Sequence, residues 1–339
     1  MPCTAVVGGF FGDEGKGKII SYLAIADSIA VAARGGVGPN AAHTVVFENR
    51  EYRLRMVPSA FVNPRTRLLI GAGVLIDVDM LLKEIELTGT RGRIGVDYQC
   101  GVIEAKHRDL DRKSSHLRGK VGTTGTGCGP ANADRALRVL RLARDIPALQ
   151  PLLTDVAGEV NEAIDAGKPV LLEGTQGTFL SLYHGTYPYV TSKDTTVSAL
   201  LSDIGVGSKK VDDIIVVFKS YVTRVGGGPL EEEISEEEAK RRGWFEIAAG
   251  TGRKRRAAPF SFKLAKRAVL LNTPTQVALT KIDILFPAAR GATSFEQLPP
   301  EAKQFVERIE NELKVPVTLI GTGPGASEII DRRRELGLL

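Results

Sequence analysis

The sequence predicts an α/β protein: a mostly parallel central sheet flanked by helices, P-loop-NTPase-like in plan but without a Walker A motif. Two observations carry that expectation. Short apolar runs closed by glycine or polar turns alternate with helix-like stretches, and each glycine-rich or charged cluster follows one of those runs. Such alternation specifies parallel strands covered by helices. In that architecture ligands bind beyond the carboxyl ends of the strands, so the clusters are expected to converge on one crevice.

Taken in order, AVVGG (5–9) leads into KIISYLAIA (18–26), and RLLIGAG (67–73) leads into DMLLKEIEL (79–87). PVLLEGTQG (169–177), DIIVVFKSY (213–221), TQVALTKID (275–283) and VPVTLIGTG (315–323) repeat the strand-then-turn form. ISEEEAKRRG (234–243) reads as a surface helix, with Ser235 and Glu238 at capping-box spacing, acids leading, bases trailing and a glycine stop. No fixed-period repeat, low-complexity tract or interdomain linker is visible, so residues 1–339 are expected to form one elaborated domain.

Composition narrows the function. With 339 residues, 43% hydrophobic and 25% charged, the chain can bury a large core. No run reaches the ~18 apolar residues of a membrane span, and the N-terminus enters a strand without a basic leader, which points to a cytoplasmic protein. Cys3, Cys100 and Cys128 are widely spaced without a CxxC pair, so neither a disulfide framework nor a cysteine zinc site is indicated. The net charge of +5 comes without lysine and arginine interleaved with aromatics, which favours small anionic ligands over nucleic acid.

The chemistry begins in GGFFGDEGKGK (8–18), which packs five glycines, two acids and two lysines into eleven positions. Glycine and lysine suit a phosphate. Asp13 and Glu14 do not, unless a metal ion intervenes or a carboxylate takes a proton during the reaction. Counted to Lys16, a GxxxxGK run needs glycine at position 10, which is Phe10, and Gly17 follows instead of Ser or Thr.

Downstream, RGGVGPNAAHTVV (34–46) offers Asn40 and a histidine, His43, able to titrate near neutrality. His107 and His116, among charged residues, are expected to be exposed. VGTTGTGCGPANADR (121–135) supplies threonine hydroxyls and flexible backbone for a second anionic group, with Arg138 and Arg141 just beyond. The stretch 173–196 holds Gln176, His184 and Thr191, and GTGRKRR (250–256) holds four cations suited to carboxylates or phosphates. QVALTKIDIL has the shape of the NKxD guanine motif with Thr280 in the Asn place; Asp283 would accept from guanine's ring N–H and exocyclic amine, a donor pair adenine lacks.

These strings, from GDEGKGK through NAAHTVV, GTTGTGCGPA, EGTQGTFLSLYHGTYPYVT, YVTRVGGGP, TGRKRR and LTKID to GTGPG, resemble the adenylosuccinate synthetase family, especially its short archaeal form, in family order and over nearly the whole chain. The resemblance implies the reaction of GTP, IMP and L-aspartate giving GDP, phosphate and adenylosuccinate through 6-phosphoryl-IMP. Asp13 matches the base that takes the purine N1 proton and also ligates Mg²⁺; His43 matches the catalytic histidine, and Gln176 the glutamine beside the purine 6-oxygen.

Gly12, Glu14, Gly15, Lys16 and Gly17 would serve GTP phosphates, and Lys281, Asp283, Gly323 and Pro324 the guanine. Asn40, Thr124, Thr191 and Arg253 would join Gln176 around IMP, with Arg138 entering from the neighbouring subunit of a homodimer. Thr251, Arg253 and Arg255 would bind L-aspartate. Some positions depart from the family pattern: Phe10 and Phe11 replace Gln-Trp, Gly250 a threonine and Gly321 a serine. Ala42 stands where a glycine gives Mg²⁺ its carbonyl, and in alanine that role requires a negative φ.

Three other readings, one of them an enzyme, compete. The phage-type relative acting on dGMP typically has a smaller residue at the loop aspartate, which here is Asp13. A regulatory GTP switch would normally carry the Walker A loop, and a nucleic-acid binder would show steeply salt-dependent binding.

Overall fold

The structure, a computed structural model, describes residues 3–248 and 252–339. One sheet of ten strands organises it: β1 (Cys3–Gly8), β2 (Val31–Arg34), β3 (Arg67–Ile70), β4 (Ile94–Asp97), β5 (Leu153–Thr154), β6 (Val170–Glu173), β7 (Asp213–Lys219), β8 (Gln276–Thr280), β9 (Val317–Gly321) and β10 (Ile329–Asp331). Their order is β10-β9-β8-β7-β1-β6-β2-β3-β4-β5, and every neighbouring pair is parallel except β9 with β10. The six apolar runs of the sequence are all strands of this sheet.

Both faces of the sheet are covered, which explains why the strands read as continuous apolar runs instead of alternating ones. Along β1, Cys3, Ala5 and Val7 enter one core while Val6 enters the other; along β7, Val216 and Phe218 oppose Ile215 and Val217 in the same way. Helices Lys16–Ala26, here α1, and Val78–Thr88 contribute Ile19, Ile20, Leu23, Leu81 and Ile85 to the second core. Among the described residues no helix is long and apolar enough to cross a membrane.

Two small additions rise from the carboxyl end of the sheet. A hairpin pairs His43–Phe47 with Arg50–Leu54, and its two turn residues, Glu48 and Asn49, have φ of 49° and 60°, as a two-residue hairpin turn requires. A three-stranded sheet places Lys254–Ala258 between Val222–Val225 and Glu246–Ile247, with Glu246 directly opposite Arg255. The acidic-to-basic stretch forms the expected helix, Glu236–Arg241, and the Ser235 hydroxyl accepts the Glu238 N–H at 3.1 Å.

Candidate active site

A cavity of ≈ 740 Å³ opens beyond the carboxyl ends of the central strands, within the size range of small-molecule sites. The loops after β1, β2, β6, β8 and β9 all contribute to its wall, as the sequence pattern requires. Gly12, Asp13, Gly15, Lys16, Gly17, Asn40, Ala42, His43, Thr124, Gln176, Thr191, Arg253, Arg255, Lys281, Asp283, Gly323 and Pro324 all line it.

In the loop after β1 the two acids have opposite tasks. Glu14, expected among the groups that serve GTP, is instead buried and turned away from the cavity. Its Oε1 accepts the Phe10 and Gly12 N–H groups at 3.0 and 2.7 Å, and its Oε2 pairs with Lys16 Nζ at 2.8 Å. The reason is local: a glycine-rich turn has backbone donors that no strand satisfies, and a carboxylate two to four residues on can gather them. Asp13, at φ 62°, faces the cavity and meets Arg255 Nη2 at 2.8 Å. Gly15 begins α1 at φ 88°, where a side chain would be strained, and a Cβ on Gly17 would stand 3.0 Å from that of His43.

The count to Lys16 passes over a second register: from Gly12 to Lys18 the loop does meet the GxxxxGK spacing, with Ile19 in the Ser/Thr place. The structure gives that lysine another task. Lys18 Nζ donates to the carbonyls of Gly323 and Glu328 at 2.5 and 2.8 Å, fastening the loop after β9 to α1. Burial lowers its pKa to about 8, against the opposing pull of Glu328 and Asp283.

His43 is buried, and its Nδ1 lies 2.5 Å from Glu173 Oε1. Glu173 ends β6, in register with Arg34 on β2 and Val6 on β1, and accepts from both the N–H and the hydroxyl of Ser59 at 2.7 Å. Burial alone would raise its carboxyl; the hydrogen bond from His43, together with the charge of Arg34 and the Ser59 hydroxyl, outweighs burial and holds it below the usual range. An ionised Glu173 obliges Nδ1 to donate. Burial, then the nearby Arg34, push the His43 pKa down to about 4, so the ring is neutral at pH 7 and its Nε2 carries a lone pair. Nε2 is buried with no hydrogen-bond partner among the described residues. Glu173 was not singled out by sequence reasoning; the available signal was an acid closing an apolar strand, VLLE.

Across the cavity, Thr191 Oγ1 accepts from Asn40 Nδ2 and Gln176 Nε2, each at 3.1 Å, so the loop after β2 and the long segment after β6 meet at one hydroxyl. Gln176 is held at φ 58°, and Asn40 Oδ1 is buried with no partner among the described residues. On the far side, Thr280 Oγ1 donates to the Glu14 carbonyl at 2.6 Å, which places Lys281 and Asp283 beside the first loop. Asp283 Oδ1 is also buried without a partner among the described residues, an acceptor awaiting a donor.

Arg253 donates to the Gly122 carbonyl at 2.7 Å and so ties the basic stretch to the threonine loop, where the hydroxyls of Thr124 and Thr126 lie 3.0 Å apart. Thr251 and Gly250 lie outside the described residues. Phe10 turns into the core against Phe218 and Phe260, while Phe11 lines the cavity beneath the Arg224 guanidinium. Gly321 ends β9 beside Lys18. Arg138 does not line the cavity; it is exposed just beyond helix Cys128–Ala136, between exposed Leu137 and Val139.

His107 corrects the sequence reading: it is buried, its Nδ1 accepting the Glu104 N–H at 2.9 Å and its Nε2 lying 3.0 Å from Asp134. It joins helix Ala105–Lys113 to the helix that follows the threonine loop. His116 is exposed, as expected.

A divalent ion in this cavity would rest on few protein side chains. No group of three or more His, Cys, Asp or Glu side chains among the described residues could cage a metal. Asp13 and Ala42 both line the cavity, and Ala42 is not among the positive-φ residues, so its backbone meets the condition set by its side chain. One carboxylate and one carbonyl, completed by phosphate oxygens, is the oxygen-rich, ligand-dependent donor set that suits magnesium.

The family model described as adenylosuccinate synthetase matches residues 5–146, 139–289 and 288–330. Adenylosuccinate synthetases from Thermococcus sibiricus and Archaeoglobus fulgidus are 54% and 53% identical to the chain, covering 99% of it and 100% and 99% of themselves. Among solved structures, the fully ligated adenylosuccinate synthetase of Plasmodium falciparum superimposes with a TM-score of 0.90 at 25% identity, over 98% of this chain and all of that one. The succinoaminodeoxyadenylate synthetase of cyanophage S-2L, bound to dGMP and dATP, superimposes with a TM-score of 0.79 at 25% identity, over 99% and 98%.

Proposed function

The chain belongs to the adenylosuccinate synthetase family, and from that premise we propose that it joins L-aspartate to IMP at the expense of GTP, with Asp13 as base and His43 facing the transferred phosphoryl group. The observation that carries this assignment is the buried, unpartnered Nε2 of His43, turned to the same cavity as Asp13 and Gln176. Asp13 takes the N1 proton of IMP, which makes the 6-oxygen nucleophilic. That oxygen attacks the γ-phosphorus of GTP, the bond to the β–γ bridging oxygen breaks, and GDP leaves. The amine of L-aspartate then adds at C6 and loses a proton as the C6–O bond breaks and phosphate departs, a far better leaving group than the original lactam oxygen.

His43 holds its side of the site. Neutral in the ligand-free chain, it gains a proton when the anionic phosphoryl group approaches, and Glu173 balances the imidazolium charge. Gln176, oriented by Thr191, presents its amide beside the purine 6-oxygen, and Asp283 accepts from guanine. Asp13 and the backbone of Ala42 would hold a magnesium ion, which would supply charge screening between the nucleotide phosphates and the carboxylate. Exposed Leu137, Arg138 and Val139 support a homodimer in which Arg138 serves the neighbouring site. Three free, buried thiols suit the reducing cytoplasm.

The test follows phosphate release with GTP, IMP and L-aspartate, omitting each in turn and labelling the IMP 6-oxygen with ¹⁸O. Label recovered in phosphate, only when all three are present, is the expected result. Unlabelled phosphate, or release indifferent to IMP and aspartate, overturns the mechanism, and turnover restricted to dGMP overturns the choice of nucleotide.

A further inference from the structure

Arg255 stands between two carboxylates. Its Nη2 meets Asp13 Oδ1 at 2.8 Å, and its Nη1 donates to Glu246 Oε2 on the strand directly opposite. The two ends are unequal. Glu246 is fixed by three donors: Lys219 Nζ at 3.1 Å from both of its oxygens, the Tyr221 hydroxyl at 2.5 Å from Oε1, and Arg255 itself. Tyr221 is in turn stacked on Trp244, ring centroids 4.9 Å apart and 5° from parallel. Asp13, by contrast, faces the cavity and keeps 29% of its side chain exposed. Arg255 Nε is buried and has no hydrogen-bond partner among the described residues.

We infer that Glu246 is a positioning residue for the aspartate subsite: it anchors one end of Arg255, so that the other end exchanges Asp13 for a carboxylate of the incoming L-aspartate. The inference rests on the reading that Arg255 binds aspartate. Its physical basis is an unequal competition. A guanidinium presents two forked faces to carboxylates, and when one is committed to a buried, multiply hydrogen-bonded partner, only the face toward the cavity is available to a ligand. The unpaired Nε gives that face a second donor for the substrate carboxylate. The same exchange releases Asp13 Oδ1 as L-aspartate binds. Burial would raise the Glu246 carboxyl, but Lys219 and Arg255 prevail and bring it down to about 2, so the anchor is charged throughout the working range. Without that charge, Arg255 is free to close on Asp13 with both nitrogens, and aspartate must break a stronger pair to bind.

Steady-state kinetics on Glu246→Gln, with each substrate varied at saturating levels of the others, tests this. Glutamine keeps an acceptor for Tyr221 but removes the charge. The KM for L-aspartate is expected to rise about tenfold or more, while kcat and the KM values for GTP and IMP stay within about twofold. Equal losses in all four parameters would mean a structural role only and would overturn the inference, as would an unchanged aspartate KM. Arg255→Lys separates the two levels: if it leaves the aspartate KM untouched, the subsite reading itself fails, whereas a raised KM there with none in Glu246→Gln defeats the anchor alone. Should Glu246→Gln not fold, Tyr221→Phe carries the test, with an expected rise of about threefold confined to aspartate.

Discussion

The floor of the cavity and its outer wall are held by different kinds of interaction. On the floor, side chains at the strand ends are bonded to one another before any ligand arrives: Glu173 with His43 and Ser59, Thr191 with Asn40 and Gln176, Glu14 with its own loop. On the wall, Arg253 reaches a carbonyl of the threonine loop and Arg255 borrows Asp13 from the floor. Preorganised groups spend no free energy on reorientation during the reaction, so floor residues should govern kcat. Wall contacts must be exchanged for ligand contacts, so wall residues should govern KM.

Asp13 stands where the two regions meet, and its loss is expected to be the largest effect. Asp13→Asn should lower kcat about a thousandfold, because asparagine has no place for the N1 proton, while thermal denaturation shows the fold retained. Turnover near that of the unsubstituted chain would remove the base from the site and with it the distinction drawn here.

Next in size is the pair behind the phosphoryl group. Glu173→Gln keeps the shape but withdraws the charge that balances a protonated His43, and kcat should fall about a hundredfold with KM values little changed. The same pair leaves a signature in stability. The folded pKa of His43 is near 4 and the unfolded value near 6.5, so the unfolded chain holds the extra proton between them. Stability should therefore decline as pH falls from about 6.5 toward 4, and His43→Asn should flatten that decline by about 3 kcal/mol in denaturant titrations. An unaltered slope would show the imidazole to be less buried than its surroundings require.

A smaller effect is expected at the guanine end. Asp283→Asn keeps one acceptor of the two that guanine's donors need, so the KM for GTP should rise about tenfold to a hundredfold, and the preference for GTP over ITP should shrink. A GTP preference that survives the change would mean that another group reads the exocyclic amine.

The contrast between floor and wall also explains what the sequence made legible. Each floor loop follows an uninterrupted apolar strand, so VVGG, VLLEGTQ and VALTKID announced both their strands and their place at the sheet's carboxyl edge. Strands β2 and β4 are not legible because VAAR and IGVD are weakly apolar, unlike the equally short RLLI and VLLE. The partners of site residues were harder to see, since Glu173, Lys219 and Lys18 act on groups tens to hundreds of positions away, and Glu246 meets Arg255 only because two strands pair; no local spacing encodes such pairs. For Glu14 the reason is chemical: an acid beside glycines reads as a ligand group, whereas its side chain here gathers the backbone donors of its own loop. His107, set among charges in AKHRDLDRK, is buried because its helix turns it inward, with Asp111 one turn on, and it meets Asp134.

The mildest change probes whether the wall is a separate unit at all. Ser235 caps helix Glu236–Arg241, whose Ala239 packs with Tyr221 and Trp244 behind Glu246. Removing the cap in Ser235→Ala should cost about 1 kcal/mol of stability, the usual worth of a serine N-cap. Because this helix packs directly behind the Tyr221–Trp244 pair that supports Glu246, loosening it should reach aspartate first. The KM for L-aspartate should rise by no more than about twofold while that for GTP stays fixed, because 1 kcal/mol spread over a local opening reaches the ligand only in part. If the GTP and aspartate constants move together, the helix, the three-stranded sheet and the strand-end loops respond as one body, and the division into floor and wall gives way to a single cooperative site.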